Sequence, residues 1–90
     1  MGKSKPITEI LAGWANYERP ADGTRYRHYK GGEYEIVTTG FLEKEEVPAV
    51  VYRSLEKDIV WVRSAEDFFA IVQNGYHQQP RFESIPQKGK

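Results

Sequence analysis

Cations alternate with aromatic side chains at four places in this chain: Arg25-Tyr26-Arg27-His28-Tyr29-Lys30, Tyr52-Arg53, Trp61-Val62-Arg63 and Arg81-Phe82. Guanidinium groups and aromatic faces attract each other, and together they suit flat, anionic ligands. The candidate binding residues are therefore Arg27, His28, Tyr29, Tyr52, Arg53, Trp61, Arg63 and Arg81. The competing reading is structural, because Arg stacked on Tyr or Trp also covers the core of a small β-domain. No residue is assigned a catalytic role. A Gly-x-Ser-x-Gly elbow is missing, and Gly31-Gly32 lacks the spacing of a phosphate loop. The two histidines, His28 and His77, have no metal-ligand spacing, and no metal or cofactor is expected.

Strand register decides which of these side chains share a surface. A two-residue turn at Gly31-Gly32 would set Lys30 against Glu33, Tyr29 against Tyr34 and His28 against Glu35. A carboxylate beside His28 would favour its charged form. It would act either as a proton-transfer group or, more simply, as a cross-strand partner fixing register. A two-residue turn at Lys57-Asp58 would set Tyr52 against Arg63 and Ser54 against Trp61. Tyr52, Trp61 and Arg63 would then form a platform opposite an aliphatic core of Val51, Leu55, Val60 and Val62. A three-residue turn would instead join Arg53 to Trp61, since a one-residue slip exchanges faces.

The elements that must position these residues are short. Ile7, Ile10, Leu11, Trp14 and Tyr17 form one helical stripe, so a helix is expected over about 6 to 17. Pro6 suits its first turn, Pro20 ends the pattern and Gly13 weakens it. Residues 24–30 and 33–39 read as a hairpin around the Gly-Gly pair, and Gly40 to Glu46 as a connecting loop with an acidic cluster. Val50 to Leu55 and Ile59 to Arg63 read as two more strands. Ser64 can cap a short helix that Asn74-Gly75 would stop, and Arg81 to Ile85 is the closing strand.

Ninety residues make one domain. Without cysteine it has neither a disulfide framework nor a thiolate zinc site, and it relies on its core, to which six Tyr, four Phe and two Trp contribute. Thirteen basic and thirteen acidic residues cancel, which argues against a dedicated duplex nucleic-acid binder. With no apolar run near the roughly 20 residues that span a bilayer, and no secretory leader, the chain reads as cytoplasmic.

The strings Arg27-His28-Tyr29-Lys30-Gly31, Tyr34-Glu35, Val50-Val51-Tyr52-Arg53, Trp61-Val62-Arg63 and Pro80-Arg81-Phe82, with Phe68, resemble the bacterial domain of unknown function 1653 family over residues 24 to 85. The resemblance implies a mainly β fold, a small SH3-like barrel of about five strands. It brings no activity, substrate or cofactor. The family's His-Ser-Glu-Thr-like stretch is replaced here by Leu42-Glu43-Lys44-Glu45, and the turn between Arg53 and Trp61 is one residue shorter.

The expected organisation is an extension with an amphipathic helix over 1–23, the β-barrel domain over 24–85 and a flexible tail over 86–90. The leading function is a non-catalytic binding module whose Arg/Tyr/Trp surface takes a nucleotide, RNA or peptide. The alternatives are an assembly protein docking through its N-terminal helix, and a small enzyme or sensor centred on His28. The candidate partners are a nucleic acid, a nucleotide or a protein, with no membrane; a monomer or weak dimer is expected.

Overall fold

The computed structural model describes residues 4–86, so the loose ends expected at the termini fall mostly outside them. The chain is mainly β, with α1 (Ile7–Leu11), β1 (Arg25–His28), β2 (Glu33–Leu42), β3 (Val47–Ser54), β4 (Val60–Ser64), α2 (Ala65–Phe68), β5 (Ile71–Asn74), β6 (His77–Pro80) and β7 (Phe82–Ser84). Five strands form one sheet in the order β4-β3-β2-β1-β7, and β5 pairs with β6 in a separate hairpin.

The N-terminal stripe folds as expected at one end only. Without a capping side chain, α1 is a single short α-helix that tightens into a 3₁₀ segment, Ala12–Asn16. Trp14 is buried, and its indole N–H donates to the Gly40 carbonyl at 3.1 Å. Tyr17 stacks on Phe69 at 5.6 Å. Ile7 and Leu11, by contrast, stay exposed. Gly13 lets this segment lie close to β3, since a Cβ there would meet the Pro48 ring at 3.1 Å.

The first three residues of the expected loop from Gly40 to Glu46 are strand. β2 runs on to Leu42 and pairs with β3 from Val47, leaving only Glu43 to Glu46 as the turn. The strand does not end before Gly40 as expected, because the apolar pair Phe41-Leu42 continues it. A β-bulge at Val37 shifts the register between Ile36 and Thr38. The extra residue reverses the inward-outward alternation beyond it, as bulges do.

Asn74-Gly75 does not stop a helix. α2 ends at Phe68, and the β-branched Ile71-Val72 belongs to the β5–β6 hairpin, with Asn74 paired to His77. Gly75 takes the first central turn position with φ 65°, where positive φ costs glycine little.

The core is aromatic. Trp14, Tyr26, Ile36, Val50, Tyr52, Ala65, Phe68 and Phe82 form one buried cluster. Ser64 caps α2, accepting from the Asp67 N–H at 3.1 Å, which helps aim Phe68 into the cluster. There its ring stacks on Phe82 at 4.3 Å and meets Tyr26 and Tyr52 edge-on.

Phe68 is fully buried while Ile71 is largely exposed. Phe68→Ala is expected to cost about 3–5 kcal/mol, whereas Ile71→Ala stays within about 1 kcal/mol. Urea unfolding of the two variants checks this contrast.

Candidate functional site

The five-stranded sheet has a concave face built by alternation along its strands. Tyr52 lies opposite Trp61, Val50 opposite Arg63 and Tyr26 opposite Tyr34. Directly opposed residues share a face. Tyr52, Trp61, Arg63, Tyr34 and the buried Val50 and Ser54 therefore lie on one side. The β3–β4 register differs by two residues from the two-residue-turn expectation. An even offset leaves faces unchanged, so Tyr52, Trp61 and Arg63 still share a surface.

The location of the core is a correction. It lies on the Tyr52 side, whereas Val60 and Val62, expected inside, are exposed on the convex side. Aromatic side chains are what fills the space beneath α2, and strand β4 is too near the sheet edge for its outward valines to be covered.

An open groove of about 720 Å³ follows this concave face. Its floor is aromatic: Tyr34, Tyr52 and Phe82 meet edge-to-face at 5.2–5.6 Å. Trp61 and Arg63 rise from β4, and Arg63 Nε donates to the Tyr52 hydroxyl at 3.1 Å. That bond leaves the outer guanidinium nitrogens available, and Trp61 is half exposed. Lys57 adds a second cation, while Glu45, Glu66 and Asp67 bring negative charge to the same lining.

His28 closes one end, its ring 4.9 Å from Phe82 and 4.8 Å from Tyr29. The expected pairing with Glu35 does not form. The register is Arg25 to Glu35 and Arg27 to Glu33, so His28 lies opposite Gly32, whose carbonyl accepts its N–H at 3.0 Å, and the turn takes the three residues Tyr29 to Gly31. Gly31 and Gly32 both sit at positive φ, 105° and 91°. His28 instead serves the turn: its Nδ1 accepts the Lys30 backbone N–H at 3.1 Å. A ring nitrogen that accepts is unprotonated, so this bond selects the neutral ring carrying its proton on Nε2. Burial pushes the His28 pKa below its ordinary value, and the charges of Arg81, Arg63 and Lys30 push the same way. The charged imidazole expected beside a carboxylate is thus disfavoured.

The remaining candidates do not converge on the groove. Arg27 points to the convex side and pairs with Glu33 at 3.4 Å. Arg53 is on that side too, held between Glu35 at 2.8 Å and Asp58 at 3.1 Å. Tyr29 stays at the turn, with Lys30 Nζ over its ring at 5.7 Å. Arg81 is bound by its Nε to the Asp67 carbonyl at 2.9 Å. Tyr34, Phe82, Lys57 and the three carboxylates were not among the candidates. Tyr34 and Ile36 alternate toward one face, which was the available signal for Tyr34; of the carboxylates, Glu45 comes from the β2–β3 turn and Glu66 and Asp67 from α2, elements that only the fold brings together. Among the described residues, no three His, Asp or Glu side chains gather as a metal site, and no helix is long and apolar enough to cross a membrane.

The depressed His28 pKa fixes the sign of a pH effect. The unfolded chain takes up its proton first, near pH ~6.5. Stability is therefore full above that value, falls as pH drops through it, and levels off below the folded pKa. Urea unfolding between about pH 5 and 7 is expected to show this slope, and His28→Gln to flatten it.

Comparison with known proteins places the geometry in a lineage. No curated protein matches the chain. A crystal structure of a DUF1653 protein from Bordetella bronchiseptica is similar, with a TM-score of 0.65 and 26% identity, covering 79% of this chain and 94% of that one. The family model for "Protein of unknown function (DUF1653)" matches residues 24–84, which hold every strand and the whole groove. The chain therefore belongs to the DUF1653 family.

Proposed function

We propose that this protein is a non-catalytic binding module of SH3-like shape, whose concave groove takes a flat aromatic ligand carrying a single anionic group, of the mononucleotide type. The observation that carries this reading is the meeting of a half-exposed Trp61, an Arg63 whose outer guanidinium nitrogens have no partner among the described residues and an aromatic floor within one groove. Trp61 supplies a stacking face and Arg63 an anion partner. The volume falls within the range of small-ligand sites.

Electrostatics narrows the ligand class. Three cations act on His28, so that end of the groove is electropositive and favours an anion. Glu45, Glu66 and Asp67 in the same lining repel an extended polyanion. A single phosphate or carboxylate satisfies both features better than a strand of RNA. The enzyme reading centred on His28 ranks below this, because its Nδ1 is already engaged by the Lys30 N–H. Assembly through α1 has the exposed Ile7 and Leu11 in its favour, but Trp14 and Tyr17 of the same stripe are spent on the domain's own packing.

The two tryptophans allow a direct test. Trp14 is buried and Trp61 exposed, so ligand-induced quenching in a Trp14→Phe background reports on Trp61 alone. Adenosine monophosphate is expected to quench it and to shift the amides of His28, Tyr52, Trp61 and Arg63. Trp61→Ala should weaken binding, followed by those shifts, about tenfold or more, in line with ~1–3 kcal/mol for a stacked base. Arg63→Ala should do the same. Absence of shifts at these amides with the nucleotide would defeat the proposal, and preferential binding of short single-stranded RNA would overturn the mononucleotide assignment.

A further inference from the structure

Strand β4 is one edge of the five-stranded sheet, and its hydrogen-bonding parity can be read directly. The Ser54 N–H donates to the Ile59 carbonyl at 2.8 Å, making that opposed pair a hydrogen-bonded one. Bonded and non-bonded pairs alternate in an antiparallel ladder. Tyr52–Trp61 and Val50–Arg63 are then the bonded pairs, and Arg53–Val60, Val51–Val62 and Ala49–Ser64 the non-bonded ones. It follows that the backbone groups of Val60, Val62 and Ser64 point away from β3, out of the sheet.

Edge strands are usually blunted by proline, lysine, a bulge or shortness. The opposite edge, β7, follows this pattern: it has three residues, one of them Glu83, and Pro80 and Pro86 lie nearby in the chain. β4 has no proline, lysine or bulge, its one charged residue, Arg63, is drawn to the Tyr52 hydroxyl, and Val60, Trp61 and Val62 are 52%, 49% and 57% exposed.

We propose that β4 pairs with β4 of a second copy of this chain, antiparallel, with the two-fold axis through Val62. The sequence Val60-Trp-Val-Arg-Ser64 is self-complementary in this register: it pairs all five residues and sets each Trp61 against an Arg63, whereas an axis through Arg63 would oppose two cations and one through Trp61 would pair only three residues. Val62 meets Val62 and exchanges both backbone bonds. Val60 meets Ser64, and the outward Ser64 N–H reaches the Val60 carbonyl. Trp61 meets Arg63 of the second copy on the concave side, in a non-bonded pair, where opposed side chains stand closest. Two such Trp–Arg contacts form by symmetry, each a cation over an indole face. The Arg63 guanidinium can serve there because, among the described residues, only its Nε is engaged. The two sheets become one continuous sheet, and each groove gains the other copy's Arg63 at its rim.

The contact is small. Five residues at ~3.4 Å each give an edge of roughly 17 Å, well short of a standard interface of about 800 Å² per partner. A reversible dimer in the micromolar range or weaker is the expected consequence.

Val62→Pro tests the idea cleanly. The lost N–H faces outward, so the β3–β4 ladder keeps all its bonds, and proline is tolerated at sheet edges. Val62→Lys is a second variant, setting two ammonium groups opposite each other on an exposed face. Sedimentation equilibrium of the wild type should show the mass rising from 10.4 kDa toward twice that value with concentration. Both variants should weaken association about tenfold or more while their circular dichroism stays unchanged. Because the chain has no cysteine, Val62→Cys offers a positional readout. It should oxidise to a covalent dimer faster than Ile71→Cys, a similarly exposed control. A wild type that stays monomeric to millimolar concentration overturns the proposal, as does a dimer indifferent to both Val62 variants or equal crosslinking at Val62 and Ile71.

Discussion

The stacked pair Phe68–Phe82, 4.3 Å apart and nearly parallel, is the contact on which the architecture depends. Phe68 comes from a four-residue helix that could not persist alone, since isolated short helices are unstable in water. Phe82 comes from a three-residue strand with the same weakness. Each is held by the other and by the Tyr26, Tyr34 and Tyr52 rings around them. Much of the core of this small domain is therefore made of large rings meeting edge-on, each contributing substantial buried area.

The floor of the groove is the outer side of the same cluster. Tyr52 and Phe82 are buried core residues whose rings nonetheless line the cavity, and Tyr34 and His28 extend that lining. A ligand in the groove would rest on the elements that hold the fold together, which favours a rigid site. The polar groups at its rim have separate supports. Arg63 is tied to the Tyr52 hydroxyl, His28 to its own turn, and Ser64, which caps α2, precedes Glu66 and Asp67.

The two faces of the sheet divide the basic residues by role. On the convex face Arg27 and Arg53 are matched to carboxylates of neighbouring strands. On the concave face Arg63 is matched, among the described residues, only to a neutral hydroxyl. The convex face also carries the bare valines of β4, so the two sides of one edge strand differ in what they can recognise.

Sequence alone determined the elements whose signals are local: the strand around Tyr52, the strand around Trp61, the cap at Ser64 and the side-chain alternation that keeps Trp61 and Arg63 on one surface. Whether Tyr52 or Arg53 joins them depends on whether the turn has an even or an odd length, because alternation has period two, and the structure chose Tyr52. Tertiary structure decided the matters alternation leaves open. Which face is inside depends on whether the aromatic or the aliphatic residues meet the covering helix, and Phe68 settles that in favour of the aromatics. The partner of His28 depends on turn length, where a three-residue difference in register set it opposite Gly32 and replaced a carboxylate with three cations as its electrostatic company. The division of the cation–aromatic series into groove residues and convex ion pairs depends on both. Local spacing specifies the direction of each side chain relative to its neighbours; only packing at long range specifies toward what.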